Sequence, residues 1–302
     1  MAAKIIFGKR TSCLTQVLLG CLLIAQTVHS SEVKYWSESH SLGIQPYQTE
    51  IIEKALDLSR DKFGPYSLSI ETRLFSSQRS KVEAEKGHAI NLMFTSEWEG
   101  SHVEADKIEK IHHPFLKGSL GFRSCIIHKN QLSRFNEIKT EESAKGISLI
   151  QGKDWLDTDI YKSAGYQVTT VDSFSSMLYM IERNRVDCFP LSVLEIDAVL
   201  NHYKEEFPNL TIAPNFYFFY PLRVYLAIPK TEPLLLQRMR YGINRLSASG
   251  KIDKLYNRYY GKQHINLGKK EARLFIMPNP YLTAETNHQY IDEFKKHSKL
   301  AN

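Results

Sequence analysis

Residues 147–195 read ISLIQGKDWLDTDIYKSAGYQVTTVDSFSSMLYMIERNRVDCFPLSVLE. Three β-type runs, at 147–150, 167–171 and 186–189, alternate with helical patterns. That alternation predicts a parallel sheet with crossover helices. In such sheets ligands sit outside the carboxyl ends of the strands. The first run ends at Gln151-Gly152, and the next helix opens through Asp154, Trp155, Asp157 and Thr158. An aromatic ring, two acids and a hydroxyl are therefore expected where a ligand would be met.

The chain before this stretch repeats the alternation. A strand at 33–36 ends in Tyr35 and Trp36. A helix starts at Pro46, carries Ile51, Ile52, Ala55, Leu56 and Leu58 at helical spacing, and stops at Gly64-Pro65. A strand at 66–75 follows, then a helix opened by Ser76-Ser77-Gln78-Arg79, then a strand at 89–94 running into Thr95-Ser96-Glu97-Trp98. A helix is expected at 191–207, ended by Pro208, and a strand at 225–228 and helices at 234–246 and 251–260 complete the pattern. The expected fold is α/β: two Rossmann-like lobes joined by a two-crossing hinge, with crossings near 113–121 and 215–225. Lobe 1 is discontinuous (31–117 plus 221–302) and lobe 2 is 118–220. In the tail, Pro278-Asn279-Pro280 forbids regular structure. A surface helix is expected at 290–299, and the tail as a whole on the first lobe.

The 302 residues are 42% hydrophobic and 24% charged, a composition that can bury large cores. Lys4, Lys9 and Arg10 precede an apolar run at 17–25, and Val28-His29-Ser30 suits a cleavage site. Residues 1–30 thus have the layout of a secretory signal peptide. An alternative uses Leu18-Leu19-Gly20-Cys21 as a lipoprotein site. Loss of this segment lowers the net charge of +6 to +3, which is no nucleic-acid footprint. Cys125 and Cys188 remain. An exported chain permits a disulfide between them, but both could equally be small buried hydrophobes. His102, His112, His113 and His128 lack a metal-ligand spacing, and neither a nucleophile elbow nor a phosphate loop is present. No cofactor or metal is expected.

The stretch 148–152, the run Arg185-Val186-Asp187-Cys188-Phe189-Pro190, and 225–230 with 234–260 together resemble bacterial family 3 periplasmic solute-binding proteins, the receptors of ABC importers. The resemblance covers roughly 33–262. It implies a type II periplasmic-binding-protein-like fold, a periplasmic location, a monomer, and a small polar solute as ligand. It also implies an inner-membrane ABC permease or a sensor as partner. In amino-acid-binding members an arginine in a T-x-x-R pattern holds the ligand carboxylate, and an aspartate after the "rvDa" strand holds the ammonium. Here Trp98 and Ser192 stand at those places, so the chain resembles a branch lacking the amino-acid clamp.

What remains is aromatic and polar. Tyr35, Trp36, Trp98 and Trp155 fall at expected strand ends, where ring faces suit sugar-like, cationic or heterocyclic ligands, or simply fill core. Glu38, Gln78, Thr95 and Thr158 stand at the same ends. Asp157 and Glu195 would meet a cation, against a favourable charge in its helix's first turn for Asp157 and a solvated helix position for Glu195. Arg79 and Arg123 are the candidate anion partners, against an exposed helix face for Arg79 and a hinge role for Arg123. The leading reading is a solute-binding protein. The alternatives are a dehydratase-like enzyme of the same fold, with Asp157 or Glu195 as acid or base, and an orphan sensory or interaction domain.

Overall fold

Residues 147–195 do form alternating strands and helices, and the computed structural model shows what they are attached to. It describes residues 30–37, 41–73, 75, 77–96, 107–153, 155–261 and 272–298. The first group of elements is β1 (Ser31–Trp36), α1 (Gln45–Asp57), the single turn α2 (Arg60–Phe63), β2 (Tyr66–Glu71), α3 (Ser77–Lys86), β3 (Leu92–Ser96) and β4 (Ile108–Ile111). The second is β5 (Phe122–His128), α4 (Leu132–Glu137), α5 (Glu141–Lys145), β6 (Ser148–Gly152), α6 (Leu156–Ser163), β7 (Gln167–Val171), α7 (Phe174–Glu182), β8 (Phe189–Ser192), α8 (Ile196–Tyr203) and β9 (Leu210–Phe219). The chain then gives β10 (Val224–Pro229), α9 (Pro233–Ala248), α10 (Lys251–Tyr260), β11 (Arg273–Ile276) and α11 (Ala284–Ser298).

Two layers result. The first has strand order β2-β1-β3-β10-β4, parallel through β1, β2 and β3, with β10 antiparallel to both its neighbours. The second has order β11-β9-β5-β8, and β6-β7 continues it. A bridge at Leu149–Cys188 joins the two parts, with Ile150 N donating to Cys188 O at 3.0 Å and Cys188 N to Ser148 O at 3.1 Å. The amphipathic helices α1, α9 and α10 close one face of the first layer, burying Tyr47, Ile51, Ile52, Leu56, Met239, Ile243, Leu246 and Leu255. Helices α6 and α7 bury Ile160, Met177, Leu178 and Ile181 against the second.

The chain passes from the first layer to the second between Ile111 and Phe122, and back between Phe219 and Val224. The two crossings touch. Tyr220 N donates to Gly121 O at 3.2 Å, and a Cβ on Gly121 would lie 1.9 Å from the Tyr220 carbonyl oxygen. Only glycine fits this approach. The next pair outward, Phe122 and Phe219, sits in register at the start of β5 and the end of β9.

Three expectations are corrected. The strand expected at 186–189 is β8 at 189–192, because Asp187 spends its carboxylate on the neighbouring strand. Its Oδ2 accepts from Ser148 N (2.8 Å) and Oγ (2.9 Å), so β5–β8 pairing begins only after it. The helix expected from 191 starts at Ile196, because Leu191 and Ser192 still pair with β5. The tail does not lie only on the first lobe: β11 joins the second layer, parallel to β9, with Arg273 opposite Phe216 and Ile276 opposite Phe219. The apolar run Leu274-Phe275-Ile276 finds an open edge of β9 there, which a sequence-local reading could not supply.

Cys125 and Cys188, both fully buried, are joined as a disulfide between β5 and the residue entering β8. Sixty-three residues separate them in sequence. Replacing both by serine should cost about 4 kcal/mol, the loop-closure value for a loop of this size, read as a lower denaturant midpoint. Gly121→Ala should cost about 1–3 kcal/mol or more, because backbone rather than a flexible side chain must yield. Unchanged unfolding of that variant would show that the crossings part freely.

Candidate ligand site at the carboxyl edge of the second layer

β6 and β8 both end at one edge of the second layer, at Gly152 and Ser192. β5 runs antiparallel to β8, so its first residues lie at that same edge, with Arg123 directly opposite Ser192. Helix α6 begins there too, bringing Trp155, Asp157 and Thr158. Three elements thus deliver Arg123, Ser192, and Trp155 with Asp157 and Thr158 to one edge beside the end of β6, the position the β/α alternation predicts for a ligand.

The edge faces the first layer. Val193 and Leu194 enter the hydrophobic cluster that contains Ile44, Tyr47 and Leu92. A Cβ on Gly43, in the turn after β1, would lie 2.3 Å from Leu194 O. Tyr260 OH donates to Gly43 O at 3.2 Å, holding that turn from the α10 side.

Arg123 and Asp157 form an ion pair, Nη2 to Oδ1, at 2.7 Å, with side chains 6% and 12% exposed. The Tyr220 hydroxyl donates to the same Oδ1. Arg123 Nε is buried and has no hydrogen-bond partner among the described residues. Burial works against the guanidinium's charge, but the Asp157 carboxylate, with Tyr220, Tyr161 and Glu195 behind it, outweighs burial and holds Arg123 above the ordinary arginine range. Burial pushes the Tyr220 and Tyr161 phenols well up, so Tyr220 stays a donor toward Asp157. At the first turn of α6, Asp157 also lies where the helix dipole favours a negative charge.

The other expected residues divide. Thr158 Oγ1 donates to Gly152 O at 2.9 Å and locks the strand-to-helix turn. Trp155 lies across Gly152, where a Cβ would be 2.6 Å from indole Nε1, and packs on Phe174 and Phe189. Ser192 is fully buried, and its Oγ accepts from Leu194 N at 3.3 Å. Glu195 is largely buried beside Gly43 and adds to the field at Arg123.

In the first layer, Tyr35 is taken up by the core. It is fully buried, its hydroxyl donates to Gln48 Oε1 at 2.7 Å, and its ring meets Phe94 edge-on. Trp36 is likewise buried and donates to Arg73 O at 3.1 Å. β1 lies between β2 and β3, so its side chains meet packing on either face. Thr95 is half-buried on β3 opposite Tyr225. Arg79 stands exposed on α3, 3.5 Å from Glu83. Glu38, Trp98 and the Gln78 side chain lie outside the described residues.

Two members of the site escape sequence reasoning. Tyr220 lies on a crossing, with no motif to distinguish it from its neighbours Phe218 and Phe219. Gln151 is fully buried, donates from Nε2 to Pro190 O at 3.0 Å, and leaves Oε1 without a partner among the described residues. Among the described residues no group of His, Cys, Asp and Glu is arranged to hold a metal ion, and no helix is long and apolar enough to cross a membrane.

Asp157→Asn should be costly, because it leaves a buried guanidinium without its counter-charge; a loss of about 3–5 kcal/mol is expected. Arg123→Met with Asp157→Leu, which removes both charges, should recover most of that loss. A double variant as unstable as the single one would show that the pair's charge is not what matters.

No protein-family model and no curated protein sequence matches the chain. Solved structures do match. An ancestral arginine-binding protein bound to arginine superposes with TM-score 0.53 at 16% identity, over 76% of this chain and 99% of that one. An arginine-specific periplasmic binding protein of Salmonella typhimurium gives 0.51 at 10% identity, over 76% and 99%. A histidine kinase sensor domain with similarity to periplasmic binding proteins gives 0.55 at 12% identity, over 77% and 97%. At such identities the likeness speaks for architecture alone. The chain has the type II periplasmic-binding fold, two α/β lobes strung on two crossings.

Proposed function

We propose that this protein is an extracytoplasmic receptor that closes on a small polar solute between its two lobes and presents it to an ABC-type permease or to a sensor. The observation that carries this reading is the state of Arg123. It is buried at the carboxyl edge facing the other lobe, its charge is met by Asp157, and its Nε–H has no acceptor among the described residues. A desolvated donor of that kind is costly alone and becomes favourable when a solute oxygen reaches it. The leader-like residues 1–30 support an exported location. Each lobe contributes part of such a site, and the solute favours the closed arrangement by the difference in its affinity for the two states.

The solute we favour is not an ordinary α-amino acid. The two places of the amino-acid clamp hold Trp98 and Ser192, and Arg123 already has a counter-charge. Trp98 and Trp155 offer rings for a sugar-like, cationic or heterocyclic solute.

Mass spectrometry of the small molecule that co-purifies, followed by thermal melting against a solute panel, tests the reading. A solute at a hundredfold excess over its Kd should add about 2.7 kcal/mol, or roughly 5–10 °C in Tm for a chain of this size. Trp98→Ala should weaken binding by about tenfold or more. A panel in which nothing raises Tm, from protein that carries no small molecule, would sink the receptor reading. Tight binding of free α-amino acids would overturn the solute class alone.

A further inference from the structure

The chain continues past the two lobes, and the described part of that continuation, 272–298, is laid along the hinge. β11 adds to β9 and carries the backbone to the point where β9 ends: Met277 N donates to Phe219 O at 2.8 Å. Asn279 Nδ2 then donates to Pro221 O at 2.9 Å, on the return crossing itself. Asn279 is held in turn by Asn287, whose Oδ1 accepts from Asn279 N at 2.7 Å and whose Nδ2 donates to Asn279 O at 2.9 Å. Both asparagines are buried. The Tyr281 hydroxyl bonds Asp159 on α6, two residues from Asp157.

Helix α11 finishes the grip. Tyr290, Glu293 and Phe294 are spaced to share one helix face. Phe294 stacks on Phe219 with centroids 3.6 Å apart and planes 11° from parallel, and its centroid is 5.6 Å from that of Phe122. Phe122 and Phe219 are the residues at which the two crossings enter and leave the second layer. Arg223, the last residue before β10, places its guanidinium 3.5 Å from the Tyr290 ring centroid and pairs with Glu293. Residues 219, 221 and 223 of the return crossing are therefore each held by the tail.

We propose that residues 272–298 are a strap that sets the angle between the lobes. Opening a two-crossing hinge requires φ/ψ changes within a few crossing residues. Here such a change would have to break the Phe219–Phe294 stack, the Asn279–Pro221 bond, or the Arg223 contacts with Tyr290 and Glu293. The strap thus biases the molecule toward the arrangement in which Leu194 meets Gly43, and a force or partner acting on α11 would release it. The inference rests on the two-lobed fold and needs no solute, so its test is made without one and leaves the receptor reading untouched.

The test reads the distance between nitroxides carried on unnatural side chains at the exposed positions Glu53 and Glu205, one on each lobe, which avoids the cysteines. The parent chain should give one dominant short distance. Tyr290→Ala with Phe294→Ala should raise the ratio of long to short distances on the order of tenfold, the shift expected for loss of a stacked ring and a cation–ring contact. Because that variant may fold poorly, Glu293→Gln is measured beside it. It keeps the helix and both rings, and should move the ratio in the same direction by about twofold, as for loss of a partly exposed ion pair. If either folded variant keeps the parent distribution while only Tm falls, the tail is a structural addition and the strap is refuted.

Discussion

The contact between Gly121 and Tyr220 is the constraint on which the remaining structure hangs. Two crossings that touch backbone to backbone must leave for the second layer side by side. That places Phe122 opposite Phe219 and makes β5 and β9 neighbours. Once β5 and β9 are paired at their crossing ends, Arg123 and Tyr220 stand at the edge facing the first layer. Helix α6 then brings Asp157 between them. A side chain larger than hydrogen at position 121 would separate the crossings and so disturb the layer, the charge pair and the interlobe contact together.

Two buried arginines show how differently the fold treats the same group. Arg238, on α9, is fully buried and gives its hydrogens to Ser59 Oγ, Ser31 Oγ, Pro65 O and Gly64 O, all neutral acceptors. Burial, its largest influence, pulls it below the ordinary arginine range. It ties the start of β1 to the α2–β2 turn and has a structural task. Arg123 is also buried but is matched by a carboxylate, held above that range, and left with its Nε–H unmet among the described residues. A residue whose only role is packing has its donors satisfied, as Arg238 nearly does. The spare donor separates a candidate site from a structural pin.

The alternation of strand and helix in 147–195 was readable because apolar periodicity and turn residues are local signals, and β7 and α6 fall where that signal puts them. Trp155, Asp157 and Thr158 were placed at the strand-to-helix edge for the same reason. Tyr35 and Trp36, for which the sequence leaves cleft and core both open, are buried in the first layer. A strand end looks the same in sequence whether its strand lies at the edge or the centre of a sheet, and β1 is central. β4 and β11 were not foreseen, since four-residue strands exist only by virtue of an edge to join.

The sequence by itself determined the element types, the α/β class and the presence of an aromatic and acidic edge, because these follow from period, turn chemistry and chain order; the two-crossing plan came with the family resemblance. Tertiary structure alone decided three things. Cys125 and Cys188 became a disulfide because β5 and β8 are neighbours. Asp157 took Arg123 as its partner, with Tyr220 as third member, because residues far apart in the chain meet only when both crossings and α6 are in place. The tail lay along the hinge because β9 had a free edge and Phe219 a free face to offer it. Each is a pairing between distant segments, and such pairings depend on a geometry that no local pattern encodes.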